Sequence, residues 1–297
     1  MERKTAHDFD QELLILFDAY VHGALDRRGF LDKAAKYAVG GVTAAMLLDQ
    51  LSPKFVAAQV IKPEDPRIKT QYVEYDSPKG YGKMRGYLAQ PAKAAGKLPG
   101  ILVIHENRGL NEHIEDVARR AALGGYIAIA PDGLSVAGGA PADQEAARDL
   151  FAKTDAARIA GDVLAGVAWL AGNPLCNGKI GAVGFCYGGG LALRAAIETE
   201  GVDAAVCFYG RQLSVEETQR LKVPVLLNYA GSDERINAGI PAFRTALDTV
   251  GVPYSLNMYP GTQHGFHNDS SAARYNEAAA KLAWSRTMDF FDTYLKT

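Results

Sequence analysis

Beyond residue 67 the apolar positions fall into short runs separated by longer stretches of helical spacing. Residues 68–76 and 84–90 read as two strands joined at Pro78-Lys79-Gly80-Tyr81-Gly82, a hairpin-like start. Short apolar runs then predict strands at 101–105, 127–130, 180–185, 204–209, 223–229 and 254–259. Helices are predicted between them at 114–123, 156–171, near 191–198, at 241–250 and finally over 275–295. Strands alternating with helices of this length imply an α/β fold. The sheet is mainly parallel and covered by helices on both faces, and a site is expected in the loops at the strands' carboxyl ends.

The first 58 residues follow another pattern. Phe9, Leu13, Leu16, Phe17 and Tyr20 recur at helical spacing among acidic Asp8, Asp10, Glu12 and Asp18. Residues 26–31 read Asp-Arg-Arg-Gly-Phe-Leu, an uncharged apolar run follows from Tyr37 to Leu48, and Val56-Ala57-Ala58 lies beyond it. Together these resemble a twin-arginine export signal with a small-residue cleavage site, which would place the mature protein in the periplasm. The alternative is a retained helical arm on a cytoplasmic protein. The acidic, amphipathic stretch before the arginines favours the arm, because signal n-regions are basic and unstructured. Such an arm must bury its apolar stripes, either on the main domain or by clasping a second copy of the chain in a homo-oligomer. The apolar run is 12 residues long, short of the roughly 20 that cross a bilayer. Pro53, Pro63 and Pro66 mark the passage to the main domain. The expected organisation is an arm over 1–58, a linker over 59–67 and one α/β domain over 68–297.

Composition narrows the function. With 32 basic and 34 acidic side chains among 297 residues and 48% apolar content, the chain has neither the basic excess of nucleic-acid binders nor a disordered composition. Its three cysteines, Cys176, Cys186 and Cys207, fit neither a disulfide framework nor a zinc motif. His264 and His267, with His105 or His113, yield no convincing set of three metal ligands.

One segment carries chemistry. Gly184-Phe185-Cys186-Tyr187-Gly188 lies where the strand ending at Phe185 turns into a helix. Gly-x-nucleophile-x-Gly at such a turn is a nucleophile elbow, with cysteine where serine is usual. The helix N-terminus favours a thiolate, and the Tyr187 backbone N–H points to an oxyanion hole. Read alone, Cys186 could equally be a small buried apolar residue. Asp233 follows the strand at 223–229, and His264 follows the strand at 254–259 in a glycine-bordered loop. Alone, Asp233 reads as a turn or helix cap and His264 as a structural imidazole. Together they stand in the order nucleophile, acid, histidine that this fold requires.

Gly184 to Gly189, the Asp233 and His264 loops, and His105-Glu106-Asn107-Arg108-Gly109 after the first long buried strand resemble the dienelactone hydrolase family of the α/β hydrolases. The resemblance covers about residues 68–297. With residues 25–31 of the arm and Gly265-Phe266-His267-Asn268-Asp269, it points to one bacterial subgroup. It implies Cys186 as nucleophile, His264 as base and acid, and Asp233 as the orienting carboxylate. It further implies that Glu106 holds the resting thiol and that Asn107 supplies a second oxyanion N–H. In dienelactone-cleaving relatives one arginine grips the substrate carboxylate where this chain has Asn268, and another falls near Gln144. Arg108, Arg211 or Arg235 are candidates to replace them. The expected activity is hydrolysis of a small ester or lactone, carboxymethylenebutenolidase-like, through an acyl-thioester and with no cofactor or metal. Acyl transfer by the same residues and a non-catalytic thiol sensor are the alternatives.

Overall fold

The computed structural model describes residues 8–52, 59–271 and 273–296. Val56-Ala57-Ala58 and Pro53 lie outside the described residues. The arm forms α1 (Gln11–Val21), α2 (Arg27–Ala34) and α3 (Ala44–Leu51). Asp10, Asp26 and Thr43 cap the three helices through side-chain oxygens. The apolar run that begins at Tyr37 is broken where Gly40 and Gly41 take φ of 64° and 84°. Leu13, Leu14, Phe17 and Tyr20 pack on Phe30, Ala34, Leu47, Leu48 and Leu51, and this small core also takes in Ala273 of the main domain. The arm therefore lies on its own domain. Among the described residues, no helix is long and apolar enough to cross a membrane.

The domain then runs β1 (Ile68–Ser77), β2 (Gly82–Pro91), β3 (Leu98–Ile104), α4 (Glu112–Leu123), β4 (Ile127–Pro131), α5 (Gln144–Lys153), α6 (Ala156–Ala171), β5 (Cys176–Phe185) and α7 (Tyr187–Glu198). It finishes with β6 (Ala204–Phe208), α8 (Val215–Thr218), β7 (Val225–Ser232), α9 (Glu234–Asn237), α10 (Ile240–Val250), β8 (Tyr254–Gln263) and α11 (Glu277–Leu295). The eight strands make one sheet in the order β1-β2-β4-β3-β5-β6-β7-β8. β1 and β2 pair antiparallel, as do β2 and β4, while the pairs from β4 through β8 are parallel.

Side-chain alternation along the central strands divides the core. Ile101 and Val103 of β3, with Val183 and Phe185 of β5, face α4 and α11. Leu102 and Ile104, with Ile180 and Ala182, face α6 and α7. Leu227 and Tyr229 of β7 pack with Phe243 and Leu247 of α10. Burial on both faces explains why these strands read as continuous apolar runs.

Each strand anticipated from the sequence is present, whereas α5 and the single-turn helices α8 and α9 were not anticipated and α7 starts early. α5 has only Ala147 buried, so no apolar stripe announced it. α7 begins at Tyr187, ahead of the predicted start, through three successive glycines whose intrinsic preference is against helix. Tertiary packing overrides it: a Cβ on Gly188 would stand 2.4 Å from the Ile104 carbonyl oxygen, so only glycine lets the first turn of α7 approach β3.

Candidate active site

Cys186 lies between β5 and α7 at φ 54°, ψ −112°, a conformation a residue with a side chain adopts only under constraint. Its N–H donates to the Phe208 carbonyl at 3.0 Å, and its own carbonyl accepts from Gly189 N–H at 3.1 Å. The turn is so tight that a Cβ on Gly184 would fall 1.8 Å from the Gly188 carbonyl oxygen. The fold thus lifts the thiol off the sheet at the amino end of a twelve-residue helix. There it opens into a cavity of about 730 Å³.

The loop after β8 brings His264 to the sulfur, and the turn after β7 brings Asp233 to His264. His264 Nδ1 is 2.6 Å from Asp233 Oδ2, and both side chains are under 5% exposed. Among the described residues His264 Nε2 has no hydrogen-bond partner, and the Cys186 sulfur lies within 4.8 Å of a ring nitrogen of His264, which leaves Nε2 for the thiol. Asp233 also accepts from Ile236 N–H as the cap of α9, so the capping role and the orienting role coexist. Burial pushes the Cys186 thiol up, but the charges of His264 and then His22 outweigh it and bring the thiol down to about 6. Burial acts to lower His264, while the sulfur and Asp233 raise it to about 10. Between those values the pair is thiolate and imidazolium. Cys207 is enclosed in the core, where burial pushes its thiol up to about 12, and Cys176 is buried at the start of β5.

Glu106 does not hold the thiol in this structure. Its Oε2 accepts from Asn268 Nδ2 at 2.8 Å and its Oε1 from the Tyr209 hydroxyl at 3.4 Å. Burial would raise its carboxyl, but Arg274, His113 and Arg108 outweigh this and lower it. Its 6% exposure also rules out a surface acid. The loop is fixed by His105, whose Nε2 accepts from Gly133 N–H at 3.0 Å, so that Nδ1–H donates to the Glu106 carbonyl. Asn107 and Tyr187 both line the cavity, with Asn107 Nδ2 donating to the Val21 carbonyl at 3.0 Å.

Of the positions considered for substrate contact, Arg211 and Arg235 line the cavity and Arg108 and Asn268 do not. Arg108 is 5% exposed and buried among charges, and Asn268 is spent on Glu106 and Ser270. Arg235 lines the cavity but lies 3.5 Å from Asp18. Gln144 opens α5, its Nε2 donating to the Ala142 carbonyl. The histidines weighed as metal ligands do not converge: His113 is held by Asp269 at 2.7 Å, and His267 is buried and stacked on Phe185. Among the described residues His22, Cys186 and His264 do converge, their ring nitrogens and sulfur within 4.8 Å of one another.

Two residues of the site escaped the sequence reading. Tyr209 holds φ 38° at the end of β6 and sets its ring 5.0 Å from that of His264. His22 comes from the arm, with Nε2 3.3 Å from Cys186 Sγ. Its only signal was an Asp18-x3-His22 spacing at one helical turn.

A strained residue raised between strand and helix at the centre of a mostly parallel sheet, with acid and histidine arriving from later strand ends, is the layout of an α/β hydrolase. Within that class the chain belongs to the dienelactone hydrolase family, whose model matches residues 84–295, and is a carboxylic ester hydrolase. A second model, YqhI-like, matches residues 1–37. A hydrolase fragment named YghX of Escherichia coli K12 is 51% identical over 114 residues, covering 38% of this chain and 97% of that one. A Synechocystis protein whose name proposes a carboxymethylenebutenolidase is 33% identical over 234 residues, 72% of this chain and 93% of its own. A solved Klebsiella pneumoniae structure, described as a proposed dienelactone hydrolase, aligns with TM-score 0.66 and 29% identity over 76% of this chain and 99% of that one.

Proposed function

We propose that the protein hydrolyses small carboxylic esters or lactones through an acyl-thioester on Cys186. The observation that carries this reading is the alignment of Asp233, His264 and Cys186 over one cavity, with the Asp233–His264 contact at 2.6 Å. The thiolate attacks the carbonyl carbon, and the Asn107 and Tyr187 backbone N–H groups receive the developing oxyanion. The carbon–oxygen bond breaks, and the His264 imidazolium gives its proton to the departing alkoxide. Neutral His264 then takes a proton from water as that water attacks the thioester, and the sulfur leaves as thiolate.

The relatives named as carboxymethylenebutenolidases support a lactone with a carboxylate nearby. Arg194 is engaged by Glu198 and Arg235 faces Asp18, which makes Arg211 the cavity arginine for that carboxylate. A retained arm, and with it a cytoplasmic protein, is supported by the contribution of His22 to the cavity wall. Initial rates on a panel of p-nitrophenyl esters and lactones test the reading. Cys186→Ala is expected to lower kcat by at least ~10³-fold, and hydrolysis at the parent rate by that variant would overturn it.

A further inference from the structure

The arm reaches the reactive sulfur. His22 caps the end of α1 with its side chain 14% exposed, its Nε2 3.3 Å from Cys186 Sγ, and its ring edge-on to that of His264 at 4.7 Å between centroids. Its Nδ1 is 2.8 Å from the Asp18 carbonyl oxygen and 3.2 Å from the Asp18 carboxylate. A second imidazole thus faces the sulfur from another side, held by the Asp18 carbonyl and with the Asp18 carboxylate beside it, where His264 is held by the Asp233 carboxylate.

Several segments of the domain hold this position. Asn107 Nδ2 donates to the Val21 carbonyl, Arg148 Nη1 donates to the Tyr20 carbonyl at 3.1 Å, and Gln263 Nε2 donates to Gln11 at 2.8 Å. The Tyr20 hydroxyl and Arg27 both donate to Glu145. The charged groups around His22 are Asp18 on its own helix, Cys186 at the turn before α7 and His264 after β8, with Arg235 and Arg274 acting on Asp18. Burial would lower the His22 imidazole, but the sulfur and Asp18 outweigh it and raise it. With the arm in place the cavity still measures about 730 Å³ and counts His22 in its wall. The arm leaves room for substrate, as part of a site does and a plug does not.

We propose that His22 is a further catalytic residue, supplied by the N-terminal arm, whose protonated ring holds the negative charge of the Cys186 sulfur. This rests on the reading of Cys186 as nucleophile. The two imidazoles divide the work. His264 moves protons: it gives one to the alkoxide during acylation and takes one from water during deacylation. His22 takes no part in these proton transfers and faces the sulfur both as attacking thiolate and as the thiolate expelled when the carbon–sulfur bond breaks. The cycle closes with thiolate and two imidazolium ions, as it began.

The test uses full-length parent protein, His22→Gln, Asp18→Asn and Cys186→Ala. Iodoacetamide alkylation of Cys186 across pH, read by intact mass, reports the thiolate. Burst kinetics with p-nitrophenyl acetate separate acylation from deacylation. His22→Gln keeps a side chain of similar reach without the charge. Below the parent midpoint of about 6 it is expected to alkylate ~10-fold more slowly, and its deacylation is expected to slow by a similar factor. Asp18→Asn is expected to move both readouts the same way by less, and it carries the test if His22→Gln does not fold. An unchanged midpoint and deacylation rate in His22→Gln, with Cys186→Ala inactive, would overturn the role of His22 alone. Full ester hydrolysis by Cys186→Ala would overturn the proposed function and this inference with it.

Discussion

Replacing Asp233 with asparagine removes one charge from the proposed triad while leaving its shape. Asparagine caps helices as well as aspartate does, so the cap on α9 through Ile236 N–H is retained. What is lost is a carboxylate 2.6 Å from His264 Nδ1 in a site where both side chains are under 5% exposed. Charges about 4 Å apart interact by about 4 kcal/mol at an effective dielectric of 20. At about 1.4 kcal/mol per pH unit this lowers the alkaline limit of the imidazolium by about 3 pH units. In the parent, acylation needs thiolate, present above about 6, and protonated His264, present below about 10. The profile of kcat/KM is therefore expected to be a broad bell between those limits. In Asp233→Asn the alkaline limb is expected near about 7, with the plateau lost. The amide can also stabilise the wrong tautomer, and the rate at the optimum is expected to fall by ~10²-fold or more. Steady-state rates on an activated ester across pH measure both effects. A parent-like bell with turnover within about threefold would refute the reasoning.

Other consequences test the fold beneath the site. Gly184→Ala places a methyl 1.8 Å from the Gly188 carbonyl oxygen at the elbow, so Tm is expected to fall by ~5 °C or more with loss of activity. Gly96→Ala, where a Cβ meets nothing within 4 Å, is expected to leave both unchanged. If both variants melted alike, the tight turn would not be a constraint. Deleting residues 1–58 removes the helices packed around Phe17 and Phe30 together with His22, so Tm is expected to fall and the alkylation midpoint of Cys186 to rise. A soluble truncation with parent Tm, solution mass and midpoint would show that the arm contributes nothing.

The α/β layout was legible because β3, β5 and β7 are buried on both faces and so print uninterrupted apolar runs. The elbow was legible because Gly184 and Gly188 are demanded by contacts with backbone that no side chain could relieve. The order of Asp233 and His264 was legible because both sit where parallel strands end. The partner of Glu106 was not, since Asn268 and Tyr209 approach it from segments more than 100 residues away. Nor was His22 legible: the approach of α1 to Cys186 depends on contacts spread over α5, β8 and the loop after β3, which no local periodicity records. The apolar stripe of the arm showed that it must be buried, and only the folded chain shows against what.

Whether Cys186 carries the acyl group is read by intact-mass spectrometry of parent, Cys186→Ser and Cys186→Ala after rapid mixing with activated esters and lactones. A transient mass increase equal to one acyl group is expected in the parent, mapped to Cys186 and absent from Cys186→Ala. Turnover without any adduct in the parent, and at the same rate in Cys186→Ala, would contradict it.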